Sequence, residues 1–551
     1  MFSQRKTASL VLGALLLCSA AAQAYTPGKT YRFTVLHTND THGRFWNNEQ
    51  GEYGFAAHKT LIDRIRKEVA AQGGQVLLLN AGDYNTGVPE SDIQNAKPDV
   101  EGMNMLGYEA LALGNHEFDH PLSVLQKQKK WAKFPFLSAN AFDKKTGKLL
   151  AQPYTVLNKG GLKIAVVGLT TEDTAILSSQ SDHVRFEPAI KAAKRTLQQL
   201  NQKEKTDVRI ALTHLGYDHN GQHGANAPGD VSLARSMPKK NAFDLIIGGH
   251  SHTTVCLNED GSLNEKFKPG DECRPDYQNG AWIVQAGEWG KYLGRADFEF
   301  KNGQTKLVGY KLIPVNLKQK MKNADGKTEY KLYQEEIPAD SAVKAHLQRY
   351  QDQGDRLLGI KVGSTQGVFD GSRDAVRRRQ TALGRLITAA HRQRMQADVS
   401  IMNGGGIRDS LPAGEISYKS VLKIQPFGNT LVSVRMKGKE LADYLKAVAL
   451  SDEGSGAYPQ FSGNLSMTVD RAAKTVSDIR IDGKALQAEQ SYTVSLLDFS
   501  AKGGDGYPDL RHNPTFVDSG FVDAEVLKDY LSKNPDINPA DFQPKDEIVY
   551  R

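Results

Sequence analysis

Five short apolar runs in the first half of the chain each end, within a few positions, in a residue able to hold a metal ion. Phe33-Thr-Val-Leu36 is followed by Asp40 and His42, and the run ending at Leu79 leads through Asn80-Ala-Gly to Asp83. Leu111-Ala-Leu-Gly114 leads to Asn115 and His116, Ala211-Leu-Thr213 to His214, and Ile246-Ile-Gly-Gly249 to His250 and then His252. Between the runs, Lys59–Val69 and Pro188–Leu197 carry apolar residues at helical spacing. Buried strands alternating with amphipathic helices predict an α/β domain. In such domains ligand sites form beyond the carboxyl ends of strands, so these residues can converge on one edge of a sheet. Alone, each has a plain alternative: a loop histidine, an Asp capping a turn. Five coincidences at one topological position favour a shared metal site, whose expected donors are clustered His and carboxylates.

The number of donors argues for two ions. A structural zinc is closed by four ligands. Two Asp, one Asn and four His stand at these ends besides His116, enough for two ions sharing a carboxylate, with Asp83 the candidate bridge. Two ions roughly 3.5–4 Å apart can acidify a water and hold both oxygens of an in-line displacement at phosphorus. His37 precedes this set and is read as structural.

At 551 residues the chain is too long for one core, so two or more domains are expected. A charged helical stretch from Ala339 to Leu358 ends near Gly359, and a second set of strands and helices follows it. Arg373 and Arg377 lie four apart, and Arg408 closes Asn403-Gly-Gly-Gly-Ile-Arg408. Arginine forks suit phosphate oxygens, and a glycine run lets backbone approach a ligand closely. Phe427 and Phe499 precede glycine-rich turns among polar neighbours, unlike aromatics of a core strand. The net charge of +7, from 70 Lys and Arg against 63 Asp and Glu, is too thin at this length to indicate nucleic-acid or membrane-surface binding.

Residues 1–24 read as a cleaved export signal: Arg5 and Lys6, an apolar run from Leu10 to Leu17, then Ala22-Gln-Ala24. Cys18 leaves with it, and Cys256 and Cys273 remain as an isolated pair expected to form one disulfide in an oxidising compartment. With no second apolar stretch of membrane length, a periplasmic protein is expected.

Gly114-Asn-His-Glu-Phe-Asp119, Thr213-His214 and Gly249-His-Ser-His252, in this order after Asp40-x-His42 and Gly82-Asp83, resemble the blocks of the calcineurin-like metallophosphoesterases. Along nearly its whole mature length the chain resembles the bacterial periplasmic 5′-nucleotidases and UDP-sugar hydrolases. The resemblance implies an N-terminal α/β/β/α sandwich at 25–340, a linker helix and hinge at 341–360, and a C-terminal nucleotide-binding α/β domain at 361–551. It implies that Asp40, His42, Asp83 and His252 hold one divalent ion and Asp83, Asn115, His214 and His250 the other, the ions being Zn, Mn or Co. His252 stands where some members carry Gln, which leaves the metal preference open. His116 and Asp119 match the family's catalytic pair. Phe427 and Phe499 would sandwich a base, Asn429 contact it, Asp505 hold the ribose, and Arg373, Arg377 and Arg408 the phosphate. Ala382 departs from the pattern, since relatives often carry Asn there. The implied activity is hydrolysis of 5′-nucleotides to nucleoside and phosphate and of UDP-sugars to UMP and sugar 1-phosphate. The partners implied are small-molecule nucleotides, with no nucleic acid, no membrane after signal cleavage, and a monomeric chain. A 2′,3′-cyclic-nucleotide phosphodiesterase/3′-nucleotidase shares the same metal logic, and a non-catalytic nucleotide-binding protein is the alternative of another class.

Overall fold

The computed structural model describes residues 25–178, 183–218, 227–240, 242–323 and 327–551; the export signal read at 1–24 lies outside them. The apolar runs become the central strands of two six-stranded sheets. In the first, Tyr31–Thr38, Gln75–Asn80, Ala110–Ala112 and Phe136–Leu137 run parallel in that order. In the second, Leu162–Thr170, Val208–His214, Leu245–Ile247 and Ala281–Val284 do the same. Each set therefore delivers its chain ends to one edge.

Side chains alternate across each strand, and here both faces are apolar. Val35, Leu77 and Leu79 point between the sheets and meet Ile164, Val166, Ile210, Leu212 and Val284. Leu36, Leu78 and Leu111 point the other way, under Leu61, Ile62 and Ile65 of the helix Phe55–Ala71. Behind the second sheet, Ala165, Val167 and Ala211 pack on Ala192, Ala193 and Leu197 of the helix Ala189–Lys203. The result is a four-layer α/β/β/α sandwich.

One part of this domain lay outside the reading by apolar runs. Tyr292–Lys301 and Gln304–Pro314 form a hairpin at the edge of the first sheet, paired antiparallel to Tyr31–Thr38. Inward residues Ala296, Phe298 and Phe300 alternate there with Arg295, Asp297 and Glu299, as a half-solvated edge requires, so no continuous apolar run marks it.

The helix Ser341–Leu358 starts at Asp340, whose side chain accepts a hydrogen bond from the Val343 amide. Its Val343, Leu347 and Tyr350 enter the core shared with Phe55–Ala71. Burying each contributes roughly 1.5–3 kcal/mol, which ties this helix to the first domain. The second domain is built on a five-stranded sheet in the order Pro459–Phe461, Val399–Asn403, Ser491–Leu497, Thr430–Lys437 and Val517–Val522. Helices Ala382–Met395 and Gly438–Ala449 cover its two faces through separate cores. Among the described residues, no helix is long and apolar enough to cross a membrane.

Candidate metal centre and nucleotide cavity

The loops after the parallel strands bring Asp40, His42, Asp83, Asn115, His214, His250 and His252 together, all but His252 buried. His214 Nε2 lies 2.9 Å from Asp83 Oδ2 and 3.8 Å from Asp40 Oδ1. His252 Nε2 is 3.4 Å from Asp40 Oδ1 and 3.1 Å from His42 Nε2. His250 Nδ1 is 2.7 Å from Asn115 Oδ1. Two triplets are compact enough to surround one ion each: Asp40, His42 and His252; and Asp83, His214 and His250. A third joins His42, Asp83 and His116 across the middle.

Orienting bonds decide which ring nitrogens are left for a cation. Only an N–H can donate to a carbonyl, so His214 Nδ1, 2.7 Å from the Ala81 oxygen, and His42 Nδ1, 2.9 Å from the Thr86 oxygen, carry their protons. Their Nε2 atoms are thereby turned into the cluster, that of His214 to Asp83 and that of His42 to His252. His252 Nδ1 meets Glu288 Oε2 at 2.6 Å, which turns its Nε2 to Asp40 in the same way. Burial works against the charged form of His214, but Asp83 and Asp40 outweigh it and lift its pKa to about 10. A buried set of acids and imidazoles that holds a proton so firmly is matched to a cation, and its N and O donors suit a pair of borderline divalent ions.

Backbone conformation completes the convergence. Asp40, His42, Asp83, His250 and His252 all have positive φ, between 47° and 78°, a region that few non-glycine residues enter and that Asp and His enter more readily than most. At Gly114 the loops pass so closely that a Cβ would stand 2.2 Å from Asp83 Oδ1.

His116 Nδ1 is held by Asp119 Oδ2 at 2.6 Å, and its Nε2 lies 3.9 Å from Asp83 Oδ2. Burial lowers its pKa, yet the Asp119 and Asp83 carboxylates prevail and raise it to about 9. Phe427 of the second domain stacks on its ring, centroids 5.7 Å apart and planes within 10°. The two domains flank an open cavity over the cluster. Arg373, Arg377, Arg408, Phe427, Asn429, Phe499 and Asp505 all line it, with Asp83, Asn115, His116, Asp119, His250 and His252 on the opposite wall.

Within that cavity Arg377 is 3% exposed, and its Nε and Nη1 have no hydrogen-bond partner. Burial, with Arg373 and Arg408 nearby, lowers its pKa to about 9. A buried, unsatisfied guanidinium beside two others is matched to an anion. Arg408 stands 5.3 Å over the Phe427 ring. Phe499 packs on Gly504, where a Cβ would come within 2.7 Å of its ring. Asp505 accepts from Asn403 Nδ2 at 2.7 Å, and the Asn429 side chain is committed in part to Asp523. Ala382 is not among the cavity residues; it packs in the second domain's core at the start of its helix.

Sequence reasoning missed two supporting acids. Glu117 takes four backbone N–H donors, from Gly114 at 2.6 Å, Asp83 at 3.0 Å, Tyr84 at 3.1 Å and Asn85 at 3.3 Å, and so fastens the Asp83 loop to the Asn115 loop. Glu288 holds His252. Burial opposes its charge, but His252 and Lys291 hold its pKa well below the usual carboxylate range. Cys256 and Cys273 are joined in a disulfide, both buried at the rim of the inter-sheet core.

Residues 33–254 match the calcineurin-like phosphoesterase family, and residues 361–512 match the 5′-nucleotidase C-terminal domain. The chain is 53% identical over 544 residues to a 5′-nucleotidase of Vibrio cholerae, covering 98% of each. It is 52% identical over 550 residues to protein UshA of Escherichia coli, covering 100% of this chain and 99% of that one. Among solved structures, a 5′-nucleotidase precursor from Thermus thermophilus superposes with a TM-score of 0.73 at 30% identity, over 94% of this chain and 99% of that chain.

Proposed function

The chain belongs to the 5′-nucleotidase family, and from that premise we propose that it hydrolyses 5′-nucleotides to nucleoside and phosphate, and UDP-sugars to UMP and sugar 1-phosphate. The observation that carries this reading is the single cavity in which Arg377 and Phe427 of one domain face His116 and the His/Asp cluster of the other.

In this reading Asp40, His42, Asp83 and His252 hold one divalent ion and Asp83, Asn115, His214 and His250 the second, with Zn, Mn or Co suited to the donors. Bound there, two such ions supply positive charge to the phosphate oxygens and acidify water for attack at phosphorus. The protein's own groups do the rest. Asp119 fixes the His116 ring, whose Nε2–H donates to a phosphate oxygen as negative charge grows on it. Arg373, Arg377 and Arg408 neutralise and orient the phosphates. Phe427 and Phe499 hold the base by stacking, which contributes ~1–3 kcal/mol and tolerates different bases. Asn429 contacts the base and Asp505 the ribose hydroxyls.

The chain divides at 340 and 360, the helix Ser341–Leu358 travelling with the first domain and the hinge falling at its C-terminal end near Gly359. The disulfide supports export, in keeping with a periplasmic, monomeric enzyme acting on small nucleotides. The test is phosphate or sugar-phosphate release from AMP, UDP-glucose and a 2′,3′-cyclic nucleotide, with Zn, Mn, Co or Mg added back after chelation. Metal-dependent turnover of the first two supports the reading. Preference for the cyclic substrate assigns the chain to the phosphodiesterase branch, and no metal-dependent turnover of any rejects catalysis.

A further inference from the structure

A second cleft opens where the nucleotide cavity ends. It shares His116, His252, Arg373, Arg377, Arg408 and Phe427 with the nucleotide cavity as a common wall. The two spaces therefore adjoin at His116, where a scissile phosphate would lie. A nucleoside monophosphate fills one side only, because its phosphate carries nothing further. A UDP-sugar does not stop there. With UMP in the nucleotide cavity, the second phosphorus bears a glycosyl group that has to continue past His116.

The walls of this cleft are ready for such a group. Arg44 stands 4.0 Å over the Trp289 ring and donates from Nη1 to the His42 carbonyl at 2.9 Å, a placement fixed before any ligand arrives. Trp46 is half-buried on the same side. From the second domain comes Lys423, half-buried and, among the described residues, in no ion pair. The cleft's acids are partly spent: Glu90 pairs with Lys419, and Glu288 with His252 and Lys291. Glu49 and Asp409 remain, against Arg44, Lys423 and the arginines of the shared wall.

We propose that this cleft is a glycosyl subsite: it receives the sugar esterified to the scissile phosphate, with Arg44 and Lys423 contacting its oxygens and favouring an acidic sugar over a neutral one. The inference rests on the hydrolase reading above and adds to it a site and a charge preference. In the step it serves, water adds its oxygen to the sugar-bearing phosphorus. The bridging P–O bond breaks with its electron pair going to UMP, and sugar 1-phosphate is left in the cleft.

The test compares kcat/KM for AMP, UDP-glucose and UDP-glucuronate in the metal-loaded wild-type enzyme, Lys423→Gln and Arg44→Gln. The wild type should favour UDP-glucuronate over UDP-glucose. Lys423→Gln should cut that preference about fivefold, the worth of one partly solvated charge contact. Arg44→Gln should lower both UDP-sugars relative to AMP by about tenfold or more, the worth of a charged hydrogen bond. Glucose 1-phosphate and glucuronate 1-phosphate should inhibit AMP hydrolysis, each less strongly in the variants, a readout that does not need turnover of the diester. Ratios that stay within about twofold in both variants, with unaltered inhibition, overturn the subsite. Wild-type AMP hydrolysis without UDP-sugar hydrolysis overturns it while leaving the nucleotidase reading intact. Loss of AMP hydrolysis itself would sink the parent reading.

Discussion

Replacing Glu117 by Gln should loosen the metal centre without touching a proposed ligand. The carboxylate accepts from four amides, Gly114 and Asp83 on one oxygen and Tyr84 and Asn85 on the other. Glutamine keeps the shape but offers one oxygen, so two of the four amides would face an NH2 group in a buried site. Hydrogen bonds to a charged group contribute about 1.5–3 kcal/mol each, and the loops can relax in part, so the loss should be about 3 kcal/mol. Burial and Asp83 push the Glu117 pKa up to about 7 against the pull of the amides and of His214. A loss of this size corresponds to a fall in Tm of roughly 6–12 °C. Because Asp83 and Asn115 hang from the two loops that Glu117 joins, metal affinity should drop about 10–100-fold, as it does for other groups that orient ligands. Calorimetry on the metal-free protein and a competition titration with a chromogenic chelator measure the two effects separately. A Tm lowered by less than about 2 °C together with unchanged metal affinity would refute the bracing role.

His116→Ala should reduce kcat on AMP about 10²–10⁴-fold while metal content by elemental analysis stays near wild type; a small effect on kcat would remove His116 from the chemistry. Asp119→Asn should follow it in direction with a smaller loss, since it removes the orienting carboxylate and leaves the ring; equal turnover to wild type would contradict the 2.6 Å contact's importance. Phe427→Ala and Phe499→Ala should each raise KM by roughly 5–150-fold with smaller changes in kcat, the larger kcat effect falling on Phe427 because it also stacks on His116. Breaking the Cys256–Cys273 bridge, which spans 17 positions, should cost roughly 3 kcal/mol of stability, visible as a lower Tm under reductant that Cys273→Ser reproduces; identical Tm values would show the staple to be idle.

The central strands and the ligand-bearing loops could be read from the sequence because buried parallel strands are continuous apolar runs and their ends are punctuated by His, Asp and Asn. What stayed hidden depends on geometry that spacing does not encode. The hairpin Tyr292–Pro314 alternates apolar and charged residues at a sheet edge and so leaves no run. Glu117 sits inside the Gly114–Asp119 block, yet its function is to collect amides from a loop more than thirty residues upstream. Glu288 follows no strand-end pattern; only the folded position of His252 gives it meaning. The positive φ values of five clustered loop residues are likewise not legible locally, since Asp and His enter that region more readily than most residues but still only in a minority of cases. Phe427 was singled out by its polar, turn-forming surroundings, but its place against His116 follows from how the two domains meet.

The central claim is a cluster that binds two ions and needs both for hydrolysis. Its most direct test is a stepwise titration of the chelated protein with Mn or Zn, following bound metal by calorimetry and AMP hydrolysis in the same samples. Two equivalents should bind, with activity rising mainly as the second site fills. Saturation of activity at one equivalent, or turnover that survives complete chelation, would contradict the two-metal account.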